Sequence, residues 1–154
     1  MQRSITGFHQ DEQGDWVAEL DCFHGQHVRH KPPFFNREWT QTDAGRAQML
    51  GTPLECLRCD KLELPEGLHE YKRTPAFTEA TIPAGLLRDH TTKRGVWGRI
   101  DVEEGSLIYT VQYPQERSYT LTPGTPGVVV PEMKHHVRAP GAVRFHVAFC
   151  TRGE

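Results

Sequence analysis

Short segments in which apolar and polar residues alternate fill the chain from residue 70 onward. The clearest is the segment of residues 96–102, where an apolar residue or glycine stands at every second position, and Glu104-Gly105 separates it from the next segment. Such alternation is typical of a strand with one buried face, and frequent glycine and proline turns without an intervening helix are typical of an antiparallel sandwich or small barrel. We therefore expect a mainly β domain, with strands at residues 70–74, 76–82, 86–91, 97–103, 106–111, 118–121, 128–130, 136–139 and 143–150.

The first thirty residues predict a small antiparallel sheet. Residues 5–9 and 16–22 are two strand-like segments around the turn residues 11–14, which end in a glycine. Residues 26–30 predict a return strand that stops at Pro32-Pro33, because proline cannot donate a hydrogen bond to a neighbouring strand. We expect a β-hairpin with a third short strand beside it.

One helix is predicted, at residues 42–50, where Thr42 suits the N-cap and a glycine and a proline follow the end. Residues 62–69 combine proline and glycine between two halves of different composition, as a linker does. The sequence therefore predicts a Cys/His metal-binding module at residues 1–61, a linker at 62–69 and a β domain at 70–154.

The charge and hydropathy of the chain restrict its partners. The formal net charge is −2 and the pI is near 6.5, whereas a nucleic-acid-binding domain usually has a basic face and a much higher pI. The longest apolar runs are a few residues, too short to span a membrane, and the first residues contain no apolar signal region. We expect a cytoplasmic protein that binds neither nucleic acid nor membrane and whose partner is a small molecule or metal ion.

Cysteine and histidine spacing in the first part of the chain predicts a structural zinc site. Cys22 and His24 stand in a predicted turn, and Cys56 and Cys59 form a Cys-x-x-Cys knuckle about thirty residues later. Structural zinc takes four tetrahedral ligands, commonly three cysteines and one histidine. His27 is as reachable as His24, and His30 is a third choice, so the histidine stays open; buried reduced thiols without a metal, or redox use of the Cys-x-x-Cys, are the alternatives.

Several blocks of residues in the second half occur in the order found in one known family. These blocks are Tyr71-Lys72-Arg73-Thr74-Pro75 with Phe77-Thr78, Ile82-Pro83-Ala84-Gly85-Leu86-Leu87-Arg88 with His90, Thr92-Lys93, Gly95 and Trp97-Gly98, Glu104-Gly105-Ser106-Leu107, Val130-Pro131-Glu132 with His135 and Val137, and Arg144-Phe145. Over roughly residues 70–150 the chain resembles the TehB-like/YeaR-like small cupin family, which is linked by name to tellurite resistance. Residues 3–60 are similar to a separate, uncharacterised bacterial module with the same Cys-x-His-x-x-His-x-x-His run, Gly45-Arg46 helix and Cys-x-x-Cys.

The resemblance implies a cupin fold, that is, a double-stranded β-helix or jelly roll, here preceded by a small hairpin-and-helix, zinc-ribbon-like module. In the family comparison His90 matches the first metal-binding histidine and His135 matches the late one. Thr92 stands where a second histidine is expected, so the usual ligand set is incomplete. A second divalent metal, such as zinc, iron, nickel or copper, is thus expected at His90 and His135, and the candidates to complete its site are Glu132, His136 and His146.

Alternation along residues 143–149 places His146 and Arg144 on one face and Phe145, Val147 and Phe149 on the other. Because the apolar face suits the core better, this periodicity favours a surface position for His146. If the polar face instead points inward, His146 and Arg144 line a pocket. As an alternative to a metal, arginines are expected to form an anion pocket, since guanidinium geometry matches carboxylates and oxyanions. The residues predicted for such a ligand pocket are Arg88, Trp97, Arg99 and Arg144, although Trp97 also suits the core.

Three functions follow from these patterns. The first is a stress-associated protein that binds or senses a metal or small anionic ligand, with structural zinc in the amino-terminal module. The second is a metal-dependent cupin enzyme, of dioxygenase or isomerase type, acting at His90 and His135. The third is an interaction module that works beside another enzyme, because cupins of the family that the chain resembles can be fused to a methyltransferase-like domain. The sequence has no glycine-rich nucleotide-binding fingerprint, so we expect no such activity in this chain itself. A homodimer is expected by analogy with cupins.

Overall fold

The structure is a computed structural model that describes residues 1–153, and its residues divide into two compact units, one of residues 1–58 and one that begins at Cys59. Both are built mainly from antiparallel strands, as the alternating sequence pattern predicts. No helix in this part of the chain is long and apolar enough to cross a membrane.

The first unit is a four-stranded antiparallel sheet with short helices beside it. Its strands are β1 (Gln2–Gln10), β2 (Trp16–Leu20), β3 (Gly25–His27) and β4 (Pro53–Glu55), in the order β3-β2-β1-β4. The predicted hairpin forms because the Asp11 carboxylate accepts hydrogen bonds from the backbone N–H groups of Gln13 and Asp15, both at 2.9 Å, which closes the turn. Its apolar core is small and consists of Ile5, Val17, Ala18, Leu20 and Val28.

The predicted helix is α1 (Asp43–Gln48), shorter than expected, and Thr42 caps it by accepting a hydrogen bond from the Gly45 N–H at 3.0 Å. Gly45 lies so close to the Trp39 carbonyl that a side chain would overlap it. Two helical turns were not predicted: a 3-10 helix at Glu38–Gln41, and α2 (Leu57–Asp60) within the Cys-x-x-Cys knuckle.

The second unit contains two antiparallel sheets. The strands are β5 (His69–Arg73), β6 (Phe77–Thr78), β7 (Trp97–Gly105), β8 (Leu107–Val111), β9 (Arg117–Leu121), β10 (Gly127–Val129), β11 (His135–Arg138) and β12 (Val143–Thr151). One sheet has the order β10-β7-β12-β5, with β6 also paired to β12, and the other has the order β11-β8-β9. Tyr109 links the sheets, because its hydroxyl donates to the Val128 carbonyl at 2.7 Å.

The long pair β7 and β12 carries the core on one face and charged residues on the other. Val102 pairs with Phe145 and Ile100 with Val147, and all four are buried. The turn that ends β7 requires glycine, since Gly105 has a φ of 77° and an added side chain would overlap the Ala142 carbonyl. The largest fully buried side chains of this unit are Trp97, Tyr109, Phe145, Ile100, Leu107 and Met133.

Two strand predictions in this unit were wrong or too long. Residues 86–91 do not form a strand: Ala84–Leu87 is a 3-10 helix, because the turn at Pro83 continues with a hydrogen bond from the Leu86 N–H to the Pro83 carbonyl. The predicted strand at residues 76–82 is reduced to Phe77–Thr78, because Thr78 and Thr81 bond to each other in a turn. In both cases local turn chemistry overrides the alternation of apolar residues.

Candidate functional site

Two of the predicted zinc ligands lie in the turn that follows β2. The chain reverses because the Phe23 N–H donates to the Leu20 carbonyl at 2.8 Å and the Leu20 N–H donates to the His24 carbonyl at 3.0 Å. Phe23 adopts a left-handed conformation with a φ of 74°, which tightens the turn. Cys22 and His24 are therefore both buried and close together, as the sequence predicts.

The other two thiols follow β4. The Cys56 backbone is held at the end of the sheet, where its N–H donates to the Met1 carbonyl at 2.8 Å. Cys59 lies in α2, and Cys56 directly precedes this helix, so about one helical turn separates the two thiols. Both thiols are buried, and all four cysteines of the protein are free thiols.

These four side chains form a cluster with the dimensions of a tetrahedral zinc site. The Sγ atoms of Cys22 and Cys56 are 3.8 Å apart, and the Nδ1 atom of His24 lies 3.4 Å from the first and 3.3 Å from the second. The ligand atoms of Cys22, His24, Cys56 and Cys59 all lie within 4.8 Å of one another. Two sulfurs each 2.3 Å from a tetrahedral zinc are separated by about 3.8 Å, and a sulfur and a nitrogen by about 3.5 Å. The spacings among Cys22, His24 and Cys56 thus fit zinc, and Cys59 lies near enough to be the fourth ligand.

The structure distinguishes between the histidines that the sequence left open. His27 points away from the thiols and its Nε2 atom lies 2.9 Å from a carboxylate oxygen of Asp11. The His30 Nδ1 atom accepts a hydrogen bond from the Arg37 backbone N–H at 2.9 Å. Of the five residues predicted for the zinc site, the structure therefore brings together all except His27.

His90 and His135 face each other across two short antiparallel segments. Their backbones exchange two hydrogen bonds of 3.0 Å, and their rings contact each other at a tilt of 53°, with centroids 4.1 Å apart. The Nδ1 atom of His90 lies 2.9 Å from the Arg88 carbonyl and that of His135 lies 3.0 Å from the Met133 carbonyl. Since a carbonyl only accepts, each Nδ1 carries the proton and each Nε2 is left with its lone pair.

His135 is kept neutral by its surroundings. Only 4% of its surface is exposed, and the Tyr109 ring packs edge-on against it with centroids 5.7 Å apart. Burial lowers the pKa of His135 to about 4, with the neighbouring His90 contributing in the same direction. A neutral imidazole is the form that binds metals.

Two further residues considered for the second metal site have other contacts. His136 is on the opposite face of β11 from His135, and its Nδ1 atom lies 2.8 Å from an Asp89 carboxylate oxygen. This hydrogen bond holds the pKa of Asp89 below its usual value. Glu132 is exposed, has a φ of 65°, and its backbone N–H donates to the Thr92 carbonyl at 3.1 Å.

His146 lies on the charged outer face of β12, which agrees with the alternation argument. Its Nδ1 atom is 3.2 Å from a Glu103 carboxylate oxygen, and its Nε2 atom is 3.3 Å from one of Asp101. The bond to His146 also holds the pKa of Glu103 below its usual value. Because Phe145 and Val147 occupy the core face instead, His146 does not lie with His135.

The four residues predicted for a ligand pocket have different surroundings. Trp97 is fully buried and belongs to the core, which corrects its assignment to that pocket. Arg99 bonds to Asp101 at 2.9 Å, and Arg144 lies 3.6 Å from Glu103, so both guanidinium groups are already paired with carboxylates. The remaining member, Arg88, is exposed. None of the four lines the pocket that opens beside His90.

This pocket was not predicted from the sequence, and its volume is about 300 Å³. Its lining residues are Tyr71, Lys72, His90, Thr91, Thr92, Lys93, Val96 and Phe149. The available signal was weak: alternation places Phe149 on the inner face of β12, but only the strand register shows that it pairs with Lys72.

Comparisons with known proteins agree with the resemblance found in the sequence. Residues 72–147 match the model of the TehB-like domain, and residues 6–63 match that of DUF3565, a protein of unknown function. A crystal structure of an E. coli (strain K12) protein, solved as a structural-genomics target, is similar with a TM-score of 0.54 and 26% identity, over 60% of this chain and 98% of that one. TehB from Haemophilus influenzae is similar with a TM-score of 0.52 and 25% identity, over 56% of this chain but only 32% of TehB.

No curated protein matches the chain. The two matching segments coincide with the two kinds of sequence pattern, the Cys/His cluster in the first and the alternating strands in the second. The chain therefore carries a TehB-like domain at residues 72–147, preceded by a DUF3565 domain at residues 6–63.

Proposed function

We propose that this protein is a small metal-binding protein of the tellurite-resistance-related type, in which a zinc-stabilised module precedes a ligand-binding TehB-like domain. Its role would be stress-associated binding or sensing of a metal ion or a small anion. The observation that carries the zinc assignment is the buried set of Cys22, His24, Cys56 and Cys59, whose ligand atoms all lie within 4.8 Å of one another.

The zinc would be structural rather than catalytic. Structural zinc sites are closed by four protein ligands, whereas catalytic ones leave a position open for water or substrate. All four side chains here are buried, with exposures of 0% for Cys22 and Cys59, 2% for His24 and 3% for Cys56. Such a site contributes to folding and leaves no room for a substrate at the metal.

We propose that His90 and His135 hold a second divalent metal in the TehB-like domain. Support comes from the two backbone carbonyls that fix the Nδ1 protons, because metal-binding histidines generally donate their other N–H to such an acceptor. The burial that keeps His135 neutral also favours metal binding over protonation. Two imidazoles leave open positions at the metal, and this is what keeps a metal-dependent enzyme as the second candidate function.

The proposal extends to the fold and the compartment. The two antiparallel sheets suit a cupin jelly roll, in which two sheets pack together. The hydrogen bond from Tyr109 to Val128 joins one sheet to the other, which supports this packing. The Sγ atoms of Cys22 and Cys56 lie 3.8 Å apart as free thiols, which suits a reducing compartment such as the cytoplasm.

Metal content measured by elemental mass spectrometry on the purified full-length protein tests both sites. We expect one tightly bound zinc in the wild type, its loss in Cys56→Ser and its retention in Cys150→Ser, a matched change at a buried thiol outside the cluster. His24→Ala and His27→Ala form a second matched pair, in which only the first should lose zinc.

A metal titration that compares the wild type with His135→Ala tests the second site. Titration of zinc or nickel into the wild type and into His135→Ala should show an additional equivalent that only the variant lacks. If the wild type contains no zinc, or if Cys150→Ser and His27→Ala lose as much zinc as their partners, the structural zinc site is refuted. If His135→Ala binds the added metal as the wild type does, the second metal is refuted while the first stands.

A further inference from the structure

The pocket beside His90 has a lining that restricts what it can hold. Its volume of about 300 Å³ is at the lower end of the range for small-molecule sites. Among residues 1–153, no aspartate or glutamate lines it, while Lys72 and Lys93 both do. The charged groups at this pocket are therefore all of one sign.

Both lysines are available to a ligand. Neither Lys72 nor Lys93 forms an ion pair with a carboxylate of residues 1–153, and both side chains are exposed. The arginines of the outer face differ, because Arg99 and Arg144 are each paired with an acidic side chain. An anion that enters the pocket would meet two ammonium groups without displacing an internal partner.

The rest of the lining is largely apolar. Phe149 pairs in register with Lys72, so the two side chains share the inner face of the sheet, and Val96 and Tyr71 add apolar surface. The Thr92 hydroxyl is already used, since it donates to the Val96 carbonyl at 2.7 Å. A fully hydrated inorganic anion would leave this apolar surface in contact with water, whereas an anion with an apolar body would cover it.

We propose that this pocket binds a small organic carboxylate, with the carboxylate between Lys72 and Lys93 and its apolar body against Tyr71, Val96 and Phe149. The inference rests on the proposed ligand-binding role of the TehB-like domain and specifies the class of anion. The two lysine ammonium groups attract the carboxylate. The aromatic and aliphatic side chains favour an anion with an apolar part over an inorganic anion. His90 forms the wall between the pocket and the buried His135.

Binding can be followed by chemical shifts of backbone amides in two-dimensional NMR of the full-length protein. The probes are benzoate, its neutral analogue benzamide, and inorganic phosphate. We expect saturable shifts at residues 91–96 with benzoate, and about tenfold weaker binding in the double variant Lys72→Met/Lys93→Met, as expected for the loss of two weak ion pairs. Lys134→Met removes an exposed lysine that does not line the pocket, and it should bind benzoate as the wild type does.

Each outcome decides part of the proposal. Equal binding of benzamide and benzoate, or equal binding of benzoate by the double variant and the wild type, would refute charge recognition. Phosphate shifts as strong as those of benzoate would refute the apolar component. If no probe shifts residues 91–96, the proposal is overturned, while the metal contents of the Cys56 and His135 variants still test the proposed function independently.

Discussion

Replacement of one zinc ligand should unfold the amino-terminal unit while the TehB-like domain stays folded. The perturbation is Cys56→Ser in the full-length protein, and the reason is the small core of residues 1–58. Its sheet buries only a few aliphatic side chains, of which Ile5 and Leu20 are the largest. The second unit has its own core of larger residues, including Trp97 and Phe145.

The magnitudes favour complete rather than local unfolding. In a domain of fewer than about 70–80 residues, the hydrophobic core rarely contributes more than about 3–5 kcal/mol of stability. Structural zinc contributes about 10–16 kcal/mol in zinc-finger peptides near pH 7. The free energy contributed by zinc is thus larger than that contributed by the hydrophobic core of this unit. A loss of even about 4 kcal/mol corresponds to about a thousandfold rise in the population of open states.

Hydrogen exchange with mass spectrometry resolves the two units on one sample. In Cys56→Ser, peptides from β1 and β2 should exchange about a thousandfold faster or more, and peptides from β7 and β12 should keep their wild-type rates. A strong zinc chelator added to the wild type should reproduce this pattern. The control is Cys150→Ser, which should leave β1 and β2 protected; wild-type protection of β1 and β2 in Cys56→Ser would refute the argument that zinc dominates the stability of this unit.

Three other predictions concern the second unit. Gly105→Ala should destabilise it by about 1–3 kcal/mol in chemical denaturation, because of its φ of 77° and the overlap with the Ala142 carbonyl, and Gly141→Ala, which has open space around it, should cost much less. Trp97→Ala should cost about 3–5 kcal/mol in the same assay, since the ring is fully buried; a loss below about 1 kcal/mol would contradict a core position. The pKa of His135 is lowered from 6.5 to about 4, so between these values the unfolded chain binds a proton that the folded chain excludes, and stability falls as the pH falls. Between pH 7.5 and pH 5, the free energy of unfolding measured by chemical denaturation should fall by about 2 kcal/mol more in the wild type than in His135→Gln. Equal decreases in the two proteins would refute this linkage.

Most of the fold could be predicted because its signals are local. Alternation with period 2 identified the strands that became β7, β8 and β12, and turn residues identified the hairpin of β1 and β2. The exceptions are also local in origin. Around residues 83–87 a proline-initiated turn competes with a short apolar pattern, and an apolar pattern of a few residues carries too little information to decide against it.

The zinc ligands were predictable by type but not fully by identity. Cysteine spacing identifies the thiols, since a Cys-x-x-Cys places both in one turn, but His24 and His27, two and five residues after Cys22, are both close enough in sequence to reach them. The difference arises from the turn after β2, where the left-handed Phe23 directs His24 toward the thiols. His27 lies in β3 and bonds to Asp11, which belongs to the turn between β1 and β2. The distance between His27 and Asp11 in the sequence does not reveal this contact.

The pocket beside His90 shows why side-chain faces alone do not predict a binding site. Alternation correctly assigned Phe149 to the inner face, but a face contains many residues, and only the pairing register selects which of them meet. Here β12 pairs Phe149 with Lys72, and the register shifts at the next residue. A shift of one residue moves every later side chain to the other face of a strand. A change that moved this irregularity by one position would therefore replace Lys72 at the pocket with a neighbour from the opposite face, so the anion specificity proposed here depends on strand register as much as on the lysines themselves.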